Sequence, residues 1–235
     1  MLAAYAQVRP LYECALAFCE KALGPEHPST AAALNNLANL LKAQDDFAGA
    51  RPLYERALAI REKALGPEHA STAISLDNLA SLLKAQGDFA GARPLIERAL
   101  AIFEKTLGPE HPNTGTCLSD FASLLHAQGD FAGARPLYEQ SLAIFEKVLG
   151  PEHPNTKVVG SNLGHLLLAT GKPGEALALG EAALAAHEKL LGQEHPMTKS
   201  SARVTADALD ALGRAGEAAA LRARHGLAKN TPPPP

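Results

Sequence analysis

Residues 34–69 read LNNLANLLKAQDDFAGARPLYERALAIREKALGPEH, and residues 76–111 read LDNLASLLKAQGDFAGARPLIERALAIFEKTLGPEH. The two stretches begin 42 residues apart, and the full segments 28–69 and 70–111 are identical at 33 of 42 positions. The tetrapeptide Gly-Pro-Glu-His begins at Gly24, Gly66, Gly108 and Gly150 and returns as Gly-Gln-Glu-His at Gly192, always at that interval. Such a period means one supersecondary unit copied along the chain, each copy burying its apolar face on the next, rather than one domain with a single core.

Each unit is helical twice over. In STAAALNNLANLLKAQ (29–44), Leu34, Leu37, Ala38, Leu40 and Leu41 recur at three and four residues, leaving Asn35, Asn39 and Lys42 on another face. Asp45-Asp46, or Gly-Asp at 87–88 and 129–130, then supplies a tight turn and an N-cap. FAGARPLYERALAIREKALG (47–66) carries Phe47, Ala50, Leu53, Tyr54, Ala57, Leu58 and Leu65 along one stripe. This second, longer helix ends at Gly66, with Pro67 just beyond. Pro28, Pro112, Pro154 and Pro196 open the following helices, with Ala70 in that place once. Pro10, Pro52, Pro94 and Pro136 recur inside the second helix, where a missing N–H predicts a bend.

Composition narrows the function classes. The chain has 235 residues, of which 46% are hydrophobic, enough to exclude disorder for nearly all of it. Aromatic residues are 5% with no Trp, so the apolar fraction is mostly Ala and Leu and favours closely stacked helices. A net charge of −3 argues against a broad nucleic-acid or membrane surface, and no apolar run is long enough to span a bilayer. Cys14, Cys19 and Cys117 lack framework spacing, as expected of reduced thiols in a cytoplasmic protein without a signal peptide.

The order Leu34-x-x-Leu37-Ala38-x-x-Leu41, followed by Asp46-Phe47-x-x-Ala50-x-x-x-Tyr54-x-x-Ala57, resembles a tetratricopeptide repeat. The fuller text is similar to the 42-residue variant of kinesin light chains and of repeat arrays in bacterial signalling proteins. The pattern weakens where Ile96 and Gly180 replace the Tyr, and where Val204 and Thr205 stand in the places of Asn36 and Leu37. The resemblance implies an all-α, right-handed superhelical solenoid of antiparallel helix pairs, about ten helices in all. Its parts are a half repeat and link at 1–27, four repeats at 28–195, a capping repeat at 196–226 and a disordered Pro-rich tail at 227–235. In the cap, Arg222, Arg224 and His225 are expected to point outward.

No catalytic set stands out from the repeat background. His27, His69, His111, His153 and His195 recur in the links, but neighbouring copies are separated by about 10 Å, the packing distance of helices, too far to share one zinc ion. They are read as linker structure. His187-Glu188 has no second His four residues on, and GDFAGAR lacks the Lys-Ser/Thr ending of a phosphate loop. The expectation is a non-catalytic chain with no metal and no cofactor.

The resemblance implies that the first helices line a concave surface. Its residues here are Asn35, Asn39 and Lys42, then Asp77, Ser81 and Lys84, then Ser119, Ser123 and His126, continuing to His165 and Arg203, with Asn36, Asn78, Asp120 and Asn162 alongside. These short donors and acceptors suit the backbone and polar groups of a peptide. They also vary between units more than Leu41, Phe47 or Ala50 do. The expected function is a protein- or peptide-binding adaptor. A sensor or regulatory segment of a multidomain signalling protein, for example with an NTPase module, stays open. So does self-association through the first helix, where Leu11, Tyr12, Leu16, Phe18 and Leu23 form an apolar strip. Partners are thus a protein or peptide and a second copy, with neither nucleic acid nor membrane.

Overall fold

The computed structural model describes residues 2–228, with side chains from residue 8 onward; the Pro-rich end expected to be disordered lies largely outside the described residues. Among those described there are eleven α-helices and no strand. A lone helix α1 (Leu2–Leu23) precedes five pairs: α2 (Pro28–Ala43) with α3 (Phe47–Leu65), α4 (Ala70–Ala85) with α5 (Phe89–Thr106), α6 (Pro112–Ala127) with α7 (Phe131–Leu149), α8 (Pro154–Ala169) with α9 (Pro173–Leu191), and α10 (Pro196–Ala211) with α11 (Ala215–Arg224). One helix and five pairs make eleven, where about ten were expected. The chain divides within α6, at Leu124 and Leu125, into two compact units.

Both units are built by stacking. In the first, α1 packs on α2, α2 on α3, α3 on α4 and α4 on α5, while α2 also touches α4. In the second, α7 through α11 pack in the same succession, and α8 touches α10. Alanines fill the seams between helices: Ala50, Ala57, Ala92 and Ala99 in the first unit are fully buried, as are Ala134 and Ala176 in the second. A larger side chain at such a point would overpack the seam. In the first unit, Ala31 and Leu34 of α2 cluster with Ala57 and Ile60 of α3.

The Gly-Pro-Glu-His link has a physical account in every copy. His27, His69, His111, His153 and His195 each accept, on Nδ1, the backbone N–H two residues on, at 3.0–3.2 Å. The imidazole thus caps the next first helix, satisfying one of its orphaned donors. Thr30, Thr72, Thr114, Thr156 and Thr198 donate back to the carbonyl of the link glycine at 2.8–2.9 Å. That glycine has a positive φ, between 82° and 97°, which an L side chain rarely adopts.

At the turn inside the first three pairs, Asp46, Asp88 and Asp130 cap the second helix by accepting the N–H of Gly49, Gly91 and Gly133 at 2.9 Å, whereas Lys172 and Arg214 stand in that place before α9 and α11 and make no such cap. The carboxylate lies so close that a Cβ at Gly49 would fall 2.7 Å from Asp46 Oδ2, which gives the glycine of the three Asp-Phe-Ala-Gly copies a steric reason. Helices α3, α5 and α7 run unbroken through Pro52, Pro94 and Pro136.

The C-terminal cap differs from expectation. Arg224 is exposed, but Arg222 and His225 are buried, with only 7% and 1% of their surface accessible. Arg222 is held by Asp207 and by Asp210, the latter at 2.7 Å, while His225 lies 3.1 Å from Glu188. Acidic partners on α10 draw the Arg222 guanidinium inward, since a buried charge requires a paired one, and Glu188 of α9 lies beside the buried His225 ring.

Candidate functional site

The polar residues of the first helices fall into three environments, and position along one turn decides which. Asn36 and Asn39 of α2 are exposed, whereas Asn35 is buried in the seam between α2 and α4, where Nδ2 donates to Ser75 Oγ at 3.3 Å. Asn39 is exposed yet engaged, because the buried Tyr54 hydroxyl donates to its Oδ1 at 2.5 Å. Burial pushes the Tyr54 phenol up to about 12, so it remains a donor at neutral pH.

Lys42 and Lys84 are half-buried and stitch one first helix to the next. Lys42 Nζ donates to Ser81 Oγ at 2.8 Å, and Lys84 Nζ to Ser123 Oγ at 2.9 Å. Four residues expected on a ligand face therefore serve as inter-repeat bonds. Asn78 and Ser119 are half-buried beside them.

The centre of the first unit is acidic. Asp77 is buried and Asp120 is half-buried, while the nearby Cys117 thiol donates to the Ile96 carbonyl at 3.7 Å. Desolvation, reinforced by the Asp120 charge, pushes Asp77 up to about 8, and desolvation likewise raises Asp120. Lys42 and Lys84 oppose both shifts. Lys42 is itself lowered by burial, against the attraction of Asp120. One Asp77 oxygen, Oδ1, has no hydrogen-bond partner among the described residues.

In the second unit His126, Asn162 and His165 are half-buried and Arg203 is exposed. His126 stands edge-on to Phe131 with ring centres 5.4 Å apart, and burial lowers its pKa. Burial also lowers His165, with Asp207 pulling the other way. Both rings are held neutral near pH 7 and present one donor and one acceptor each.

The structure brings in residues that the periodic reading of the first helices passed over. Arg61 of α3, 7% exposed, donates to Ser75 Oγ and to the Ser71 carbonyl, both at 2.9 Å. His187 of α9 lies 2.9 Å from Ser201 in the same manner. Intervening units carry Phe103 with Cys117 and Phe145 with Val159 at those two positions. The signal was present as a pair of columns that switch together between polar and apolar.

Comparison with known proteins accords with this architecture. A tetratricopeptide repeat model matches residues 4–63, 33–105, 71–147, 120–186 and 157–224. The crystal structure of a Podosopora anserina kinesin light chain protein with nearly identical TPR-like repeats is 33% identical, with a TM-score of 0.69 over 85% of this chain and 95% of that one. A point variant of that protein gives the same 33% identity and a TM-score of 0.70 over 85% and 94%. BtubC (BKLC) from P. vanneervenii shares the fold at 20% identity, with a TM-score of 0.74 over 99% and 96%. None of the curated proteins compared with the chain matches it. Repeats of this kind are generally protein-interaction scaffolds and typically not catalytic, and no helix among the described residues is long and apolar enough to cross a membrane. With matches running through nearly every repeat, the chain belongs to the tetratricopeptide repeat family.

Proposed function

We propose that the chain is a non-catalytic adaptor that binds a peptide or protein on the face presented by its first helices. The observation that carries this reading is the contrast between Asn35 and Asn36. Asn35 is consumed in the seam to Ser75, while Asn36 is exposed. Asn78, Asp120 and Asn162, each half-buried, follow Asn36 at the same repeat position. Tyr54, Lys42 and Lys84 brace the neighbouring polar groups through fixed hydrogen bonds, so the face is preorganised and its side chains lose little entropy on binding.

The test is selection of a displayed random-peptide library on the protein, followed by measurement of the enriched peptides against Asn36→Ala with Asn78→Ala. Affinity should fall about tenfold or more, consistent with loss of two or more hydrogen bonds, while the melting temperature holds. Undiminished binding by the double variant would assign the peptides to another face.

A second reading rests on α1, whose Leu11 and Phe18 are 70% and 69% exposed. Such a strip suits contact with a second copy. Sedimentation across a concentration series decides it, since a species of constant monomeric mass excludes self-association.

A further inference from the structure

The seams between neighbouring first helices are not filled alike. Between α2 and α4 the Asn35 carboxamide and the Arg61 guanidinium converge on Ser75 Oγ, at 3.3 and 2.9 Å. Three repeats further on, the same positions carry Ser161, His187 and Ser201, and Ser71 becomes Met197. His187 takes over from the guanidinium: Nδ1 lies 2.9 Å from Ser201 Oγ and Nε2 lies 3.4 Å from the Pro154 carbonyl. No part of Ser161 reaches as far as the Asn35 carboxamide does, because its side chain ends at the hydroxyl.

The volume given up is a cleft of about 60 Å³. Val158, Ser161 and Asn162 of α8, His187 of α9, and Met197, Ser200 and Ser201 of α10 line it. Ser161 is 3% exposed, and its Oγ has no hydrogen-bond partner among the described residues. A buried hydroxyl without a partner is costly, and a cleft of this size, apolar over most of its wall with a few polar atoms among them, has room for a group of a few heavy atoms.

The hydrogen positions limit what that group is. Only a protonated Nε2 can bond the Pro154 carbonyl, so the neutral His187 has a bare Nδ1 that accepts from the Ser201 hydroxyl. Burial favours this neutral form. Ser201 Oγ is left with lone pairs alone, and its occupant must donate. Asn162 and Ser200 can donate to a carbonyl in return.

We propose that the cleft between α8 and α10 is a subsite for a primary carboxamide, such as the side chain of an Asn or Gln residue on a ligand. A carboxylate cannot donate to Ser201, and a hydrocarbon leaves Ser161 unpartnered. The cleft opens between two first helices, so its use by a peptide rests on the function proposed above, whereas its preference for an amide does not.

Acetamide and acetate, titrated separately into the ¹⁵N-labelled chain, provide the test. Acetamide should give saturable shifts at Ser161, His187 and Ser201, and acetate none. Ser161→Asn, which supplies the carboxamide from the chain itself, should abolish the acetamide response and raise the melting temperature. No saturable shift in the original chain, an equal response to acetate, or acetamide shifts that survive in Ser161→Asn would each overturn the subsite. Acetamide binding together with failure of peptide selection would instead overturn the adaptor reading alone.

Discussion

Gly180 of α9 lies directly against Thr205 of α10: a Cβ added to the glycine would stand 2.8 Å from Thr205 Oγ1 and 3.2 Å from its backbone nitrogen. Both residues are departures from the repeat pattern, Gly180 at the Tyr54 position and Thr205 at the Leu37 position. They compensate one another. Val204 is fully buried beside them, its Cγ1 3.2 Å from where a Cβ at Gly180 would stand, and Thr205 Oγ1 is fixed by donating to the Ser201 carbonyl at 2.9 Å.

Gly180→Ala should therefore destabilise. In an open helix this change gains about 1 kcal/mol from propensity. Here overpacking against a tethered Thr205 should reverse the sign, for a net loss of about 1–2 kcal/mol. Thermal unfolding of Gly180→Ala, Thr205→Ala and the double variant provides a cycle in which part of the loss is recovered in the double. A rise in melting temperature for Gly180→Ala alone would show that the contact is slack.

Asp77 should make the first unit lose stability as pH rises. Its carboxyl is raised from an ordinary 3.8 to about 8 in the folded chain, chiefly by desolvation. The folded state then binds more protons than the unfolded one between those values, so the contribution is complete below the unfolded value and lost as pH climbs through the folded one. The melting temperature should decline from about pH 5 to about pH 8, and Asp77→Asn should flatten that decline. A profile identical in Asp77→Asn would move the effect elsewhere. Asp120, raised in the same direction, accounts for any slope that remains.

Asp45→Gly should stabilise. Asp45 has φ of 60°, and the same place in later units is held by Gly87, Gly129, Gly171 and Gly213 with φ between 73° and 80°. An L residue in that region is strained, although aspartate tolerates it better than most, and relief should be about 0.5–1 kcal/mol. Urea titration at constant slope would register it as a higher midpoint, and an unchanged midpoint would mean that Asp45 is already unstrained.

Arg222→Ala should open the C-terminal cap. The guanidinium side chain is 8% exposed and bridges Asp207 and Asp210, and its removal leaves two carboxylates without their shared cation. A loss of about 3 kcal/mol is expected. Hydrogen exchange should place the loosening first in α11, and exchange unchanged there would contradict the bridge.

Much of this architecture is legible in the linear text. The 42-residue period, the helix pair, the Asp46 cap and the link all repeat, so each local rule is stated several times over. Local rules suffice because caps and turns involve residues only a few positions apart. The link histidines illustrate the limit: periodicity marks them as linker structure, but only coordinates identify Nδ1 as the capping atom.

The candidate face was legible in residue type and not in role. Asn35 and Asn36 are adjacent in sequence and read as one polar stripe, yet one is 3% exposed in a seam and the other faces outward. Successive helical residues are turned by about 100°, and whether that turn ends in a seam depends on where the next copy's helix lies. Ser75 is 40 residues away from Asn35, and Ser81 is 39 from Lys42.

Sequence alone determined the 42-residue period, the helix pair and the chemistry of its turns, because those depend on neighbours along the chain. Tertiary structure alone decided which polar groups are spent between repeats, that Arg222 and His225 turn inward, and that Ser161 leaves a cleft beside His187. Each of these is a contact between different copies of the unit, and near-identical copies carry no mark of which face meets which neighbour.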